Sequence, residues 1–144
     1  MSNRHLARSV VMQSLYQWDF RNKNPKNLLN GLKQNIQEFG IGLDNENIEF
    51  IKKTFDGVIK KIKEIDTKIE EYSPDWTLEQ MALVDRNVLR IGVFELYFNK
   101  EIPAKVAINE AIEIAKSFGG HSSGKFVNGI LGAMYNDLTK AKEA

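Results

Sequence analysis

Apolar positions along the chain recur every three or four residues from end to end, and no segment alternates at period two, so the pattern predicts helices and no sheet. A first helix is expected over about residues 3–21, with Val11, Leu15 and Trp18 at helical spacing and Val10, Met12 and Phe20 widening the stripe. Asn22-Lys23-Asn24-Pro25 breaks it, and a second helix runs from Leu28 through Leu32, Ile36 and Phe39 to a stop at Gly40. Asp44 can cap a third, long helix carrying Ile48, Ile51, Phe55, Val58, Ile62, Ile65 and Ile69. That alternation of threes and fours is a heptad seam, which fits a core-facing helix better than an intermolecular coiled coil. Ser73-Pro74-Asp75 ends it, and Thr77 with Gln80 has capping-box spacing for a short helix.

A fifth helix over about Asp85–Asn99 is apolar nearly all round, from Val88 and Leu89 to Tyr97 and Phe98, and so is expected at the centre of a bundle. Pro103 opens a sixth helix with Val106, Ile108, Ala111, Ile112 and Ala115 inward, and Gly119-Gly120 stops it. Ser122 or Ser123 can cap the last helix, whose inner face is Val127, Ile130, Leu131, Met134 and Leu138. Gly129 and Gly132 each cost that helix ~1 kcal/mol relative to alanine, which close helix–helix approach would explain. The expected fold is all-α, in one domain.

Composition narrows the function. With 144 residues, 42% of them hydrophobic and 27% charged, the chain can bury a core without staples. There is no cysteine, no opening apolar run of the signal-peptide kind, and no stretch near the roughly 20 residues that span a bilayer. A soluble, cytoplasmic protein is expected. Two histidines and no phosphate-cradling loop after a strand argue against an enzyme, a metal site or a cofactor. Gly119–Lys125 only superficially resembles a phosphate loop, although Lys125 near a helix N-terminus suits one anion. Glu95, inside the apolar fifth helix, needs a partner, for which Arg90 and Lys105 are candidates.

The net charge is only +1, yet the 19 acids are unevenly placed. Residues 1–18 contain none and carry Arg4, His5 and Arg8; residues 114–136 contain none and carry Lys116, His121 and Lys125. Brought together, the two stretches would make one positive surface. RNA needs cations for phosphates and flat groups for unstacked bases. Arg4 and Arg8 share a face of the first helix, Tyr16 follows further along, and Lys125 emerges beside Phe126. Core packing is the competing reading for both Tyr16 and Phe126.

The string Ile102–Gly119 (IPAKVAINEAIEIAKSFG), followed by Lys125–Leu131 (KFVNGIL), closely resembles the NusB transcription antitermination family. Val88–Ile91, Glu95-Leu96 and Arg8–Trp18 are similar to its central and opening helices, while residues 22–75 match in pattern only. The resemblance implies about seven helices in two subdomains, an N-terminal part of about 1–75 and a C-terminal part of about 76–144. It also implies a non-catalytic protein without cofactor that binds boxA single-stranded RNA with NusE, a ribosomal small-subunit protein. Through NusE it would join the transcription elongation complex and support read-through in ribosomal RNA operons. By position, RNA contacts fall on Arg4, Arg8, Tyr16, Ser122, Lys125 and Phe126. The NusE-facing surface falls around Leu78, Glu79 and Arg86, with Tyr16 and Gln17 nearby. The family's opening arm often carries more arginines than Arg4 and Arg8, so binding alone should be weak and tighter with the partner. The alternative is a homodimeric helical scaffold without an RNA role, and the chain is expected to be a monomer or homodimer.

Overall fold

The computed structural model describes residues 3–21, 23 and 28–143. Among them the chain forms α1 (Asn3–Phe20), α2 (Leu28–Phe39), α3 (Asn45–Lys60), α4 (Ile62–Glu71), a 3₁₀ turn (Leu78–Gln80), α5 (Leu83–Phe98), α6 (Ala104–Gly119) and α7 (His121–Glu143), with no strand. Two compact units result, Met1–Lys60 and Lys61–Ala144. The division falls at Lys60, not near residue 75, because α4 packs on α5. The expected break at Asn22–Pro25 lies outside the described residues except for Lys23.

In the first unit α1 packs against both α2 and α3. Ala7, Val10, Val11 and Leu15 of α1 and Ile51, Phe55 and Val58 of α3 are all but fully buried. Each large side chain so buried contributes about 1.5–3 kcal/mol. A polar tie crosses this core. The amide Nδ2 of Asn35, on α2, donates to Ser14 Oγ and to Gln17 Oε1 of α1, at 3.0 Å each. Ser14 Oγ in turn donates to the Val10 carbonyl at 2.9 Å. Asp44 caps α3 as expected: Oδ1 accepts from the Asn47 backbone N–H at 3.0 Å and from Asn47 Nδ2 at 2.9 Å. Those two hydrogen bonds hold its carboxyl below the ordinary value of 3.8. Phe20, assigned to the inner stripe by spacing, is 65% exposed at the end of α1.

The heptad seam is real but is shared between two helices. Helical geometry lapses at Lys61 (φ −102°, ψ 15°), so the expected single helix is α3 followed by α4. Ile51, Phe55 and Val58 serve the contact with α1, whereas Ile65 and Ile69 serve the contact with α5. One uninterrupted helix would have to present the seam to both neighbours from one axis.

In the second unit α5 is central, contacting α4, α6 and α7. Every residue from Asn87 to Leu96 is buried, as its all-round apolarity predicts, although Phe98 at its end is exposed. Arg90 is wholly buried and fully engaged. Its Nε and Nη2 donate to the two carboxylate oxygens of Asp66 on α4, at 2.9 and 3.0 Å, and Nη1 donates to Asn87 Oδ1 at 2.8 Å. Glu95 is also buried, and Lys105 is exposed. On the rim, Tyr72 Oη donates to Asp137 at 2.5 Å, which pushes the phenol pKa up.

Local stops and starts follow sequence chemistry. The Thr77 N–H donates to Gln80 Oε1 at 2.9 Å, opening the 3₁₀ turn. Pro103 immediately precedes α6, and Gly120 ends it with φ +89°, a conformation glycine adopts freely. Because α7 restarts at once at His121, Ser122 and Ser123 lie inside its first turn and neither is its cap. The explanation offered for Gly129 and Gly132 fails. A Cβ on Gly129 would meet nothing within 4 Å, and one on Gly132 only Asn128 Oδ1 at 3.8 Å. Close approach occurs at Gly92 instead, where a Cβ would lie 2.7 Å from Leu131 Cδ1, letting α5 and α7 meet.

Urea denaturation should order these positions. Asp66→Ala strands a buried guanidinium and is expected to cost about 3–5 kcal/mol. Gly92→Ala should destabilise through its clash with Leu131, whereas Gly129→Ala should stabilise by up to ~1 kcal/mol. A neutral Asp66→Ala would mean that the ion pair does not position α4.

Candidate nucleic-acid interface

In the first unit the acid-free start of α1 is not acid-free in space. Arg4 and Arg8 lie on one face, as their spacing predicts, and both guanidiniums stand over the ring of Phe50 from α3, at 4.2 and 5.2 Å from its centroid. Only Arg4 is presented to solvent; Arg8, expected as a phosphate contact, is 3% exposed, so burial makes it part of the packing beneath. Glu46, at the start of α3, approaches Arg4 Nη2 at 3.6 Å. Any phosphate at Arg4 therefore competes with this carboxylate. Further along α1, Tyr16 is half-buried and stacks on the exposed Phe20, centroids 6.4 Å apart and planes 13° from parallel. Gln17 is half-buried, with its carbonyl oxygen taken by Asn35.

In the second unit Ser122 and Lys125 are exposed on the first turns of α7, and Phe126 is half-buried. No ion pair to Lys125 occurs among the described residues, whereas Lys116 has Glu113 at 3.7 Å. A stem at Lys116 lies close over Gly124, whose Cβ would meet Lys116 Cγ at 2.7 Å; the glycine thus lets α6 and α7 close up just before Lys125. Trp76, which follows the Ser73-Pro74-Asp75 turn, stands edge-on to Phe126, centroids 6.5 Å apart at 83°. Its ring is half exposed. Together with Gln80, Met81, Asp85 and Ser122 the two rings line a hollow of about 360 Å³.

The residues assigned by resemblance to the partner surface divide in the same way. Glu79 is exposed, but Leu78 is 5% exposed, so its side chain is committed to the core. Arg86 is half-buried, and its Nη1 donates to the Leu78 carbonyl at 3.0 Å, which braces the 3₁₀ turn against α5. The Leu78 N–H donates to Glu70 Oε2 at 3.0 Å, fastening the turn to α4 as well.

Sequence reasoning missed four side chains. Trp76 and Phe20 carry exposed ring faces, and Glu46 and Asp85 bring carboxylates to the two basic stretches from other helices. The position of Trp76 just outside a Ser-Pro-Asp turn was the available clue; nothing in a linear reading pairs Glu46 with Arg4. His121 is exposed, and no group of three or more metal-ligating side chains occurs among the described residues. Among those residues no helix is long and apolar enough to cross a membrane.

A profile of the NusB family matches residues 5–136. A transcription antitermination protein NusB of Dehalococcoides mccartyi is 40% identical over 138 residues, covering 95% of this chain and 92% of that protein. Among solved structures, a chain of the antitermination factors NusB and NusE in complex with double-stranded RNA superposes with a TM-score of 0.82 at 34% identity. That match covers 95% of this chain and 98% of that one. NusB of T. maritima superposes with a TM-score of 0.80 at 38% identity, covering 92% of this chain and 89% of that one. The match extends over both units and includes Lys125 and Phe126: this chain belongs to the NusB family.

Proposed function

We propose that this protein is a cytoplasmic transcription antitermination factor that binds boxA-type single-stranded RNA together with NusE, supports read-through in ribosomal RNA operons and catalyses no reaction. The observation that carries the reading is the start of α7, where Lys125 stands without an ion pair among the described residues beside the Phe126–Trp76 corner. A cation for phosphate and ring faces for bases, side by side, are what an unpaired strand requires. Arg4 supplies a second phosphate contact, Ser122 a hydroxyl, and Tyr16 with Phe20 a second ring face. Arg8 acts through Phe50 by holding the layer on which Arg4 rests.

Relatives support the reading: they are named for transcription antitermination, and one solved relative is a complex with NusE and RNA. Glu79 and the braced turn around Leu78 and Arg86 fit a protein contact in which the side chain of Leu78 shapes the surface from below. A homodimeric scaffold loses its main support, because the heptad seam that could have joined two copies is consumed inside each unit.

Fluorescence anisotropy tests this with a short boxA RNA, a scrambled strand and a duplex at stated salt, with and without NusE. The boxA strand should bind best and bind more tightly with NusE. Phe126→Ala should lose about 1–3 kcal/mol of binding energy. Arg4→Ala should flatten the salt dependence by about 0.7 in log–log slope. Glu46→Gln should tighten binding at low salt by releasing Arg4. Equal, feeble binding to every RNA in every condition would sink the proposal.

A further inference from the structure

In the first unit α2 and α3 both pack on α1 and make little contact with each other, so a groove of about 480 Å³ opens between them. Its lining is apolar: Leu32 and Phe55 are buried, and Leu28, Ile36 and Ile59 are half-buried. Leu29, on the same lining, is 68% exposed, an apolar side chain that the described residues leave uncovered. The charged side chains of the rim are unequally committed. Glu49 has Lys52 at 3.9 Å and Asp56 has Lys60 at 3.0 Å, whereas Lys33 on α2 and Lys53 on α3 have no ion pair among the described residues. An apolar groove is thus flanked by an unneutralised cation from each of its two helices. None of the residues assigned to RNA or to NusE lines it.

We propose that the α2–α3 groove is a docking site for an acidic amphipathic helix of a further protein partner, with its apolar stripe in the groove and its carboxylates on Lys33 and Lys53. An extended peptide needs a strand edge to pair its backbone, and the described residues contain none; a helix satisfies its own backbone. The lining runs from Glu49 to Ile59 on α3, about three helical turns, which suits a stripe at i, i+3, i+4 and i+7. A nucleic acid would need exposed ring faces for its bases, and the ring that this lining offers, Phe55, is 2% exposed. A second copy of the chain seated groove to groove would bring its own Lys33 and Lys53 to the contact, like charge against like. The site is independent of the RNA-binding reading and stands or falls without it.

Anisotropy on the full chain tests this with three labelled peptides of equal length. One is a helix-forming peptide with leucines at i, i+3, i+4 and i+7 flanked by glutamates. The second has lysines in place of those glutamates, and the third is a shuffled acidic peptide without the stripe. The acidic helix should bind about tenfold or more tighter than either control and weaken as salt rises. Leu29→Asp, at an exposed position, should weaken it about tenfold while the thermal midpoint stays unchanged. Lys33→Glu combined with Lys53→Glu should reverse the order of the acidic and lysine peptides. Binding of the acidic helix that survives both variants would place it elsewhere and overturn the proposal. Equal affinity for all three peptides, or none, would do the same. A concentration-dependent dimer in sedimentation velocity that Leu29→Asp dissolves would give the groove to a second copy and overturn it too. Failure of the unaltered chain to bind boxA RNA would strike the RNA reading alone.

Discussion

A guanidinium leaves water at a cost of several kcal/mol unless its donors are met, and in the Lys61–Ala144 unit that requirement fixes α4 against α5. Arg90 meets it with the Asp66 carboxylate, taken two-pronged, and with Asn87 one turn back on its own helix. A purely apolar contact between α4 and α5 would tolerate sliding. A planar fork on a planar carboxylate does not, because both N–H···O bonds lengthen together as the helices shift. The rest of the unit depends on this register: α4 holds the 3₁₀ turn through Glu70, the turn is braced from α5 by Arg86, and Trp76 is set just ahead of it. Gly92, one turn or less beyond Arg90, then admits Leu131 and brings in α7 with Lys125 and Phe126.

The same logic separates what was legible in the sequence from what was not. Helix positions could be read because periodicity, Asp44, Thr77 with Gln80, Pro103 and Gly120 act locally, within a turn or two of chain. The centrality of α5 could be read from its composition. The lapse at Lys61 could not, since neither a proline nor a glycine stands at that position. Phe20 and Phe98 were assigned inward by spacing, but each lies at a helix end where the packed layer gives out. The glycines show the limit most clearly. Gly92 and Gly129 both sit in helices, and only the distance to Leu131 distinguishes a required glycine from a tolerated one.

Charge tells a related story. Acid-free stretches are a property of the chain, whereas a potential is a property of space. Glu46 moderates Arg4 from another helix, and Asp85 enters the hollow beside Phe126 from another helix again. Each unit's candidate surface thus sets a carboxylate among its cations and ring faces. A surface of mixed charge can tell ligands apart better than a uniformly basic one, which would hold any polyanion alike. Burial of Arg8 points the same way, because it reduces the number of mobile charges offered to phosphate and leaves a larger share of recognition to shape.

The two tryptophans of the chain fall one in each unit. Trp18 is half-buried on α1 with the Lys23 ammonium 5.8 Å from its ring, and Trp76 stands half exposed at the aromatic hollow. Because their surroundings differ, a change at the α1–α3 layer would reach Trp18 and a change at the hollow would reach Trp76. The protein thereby carries one unlabelled optical reporter in each unit.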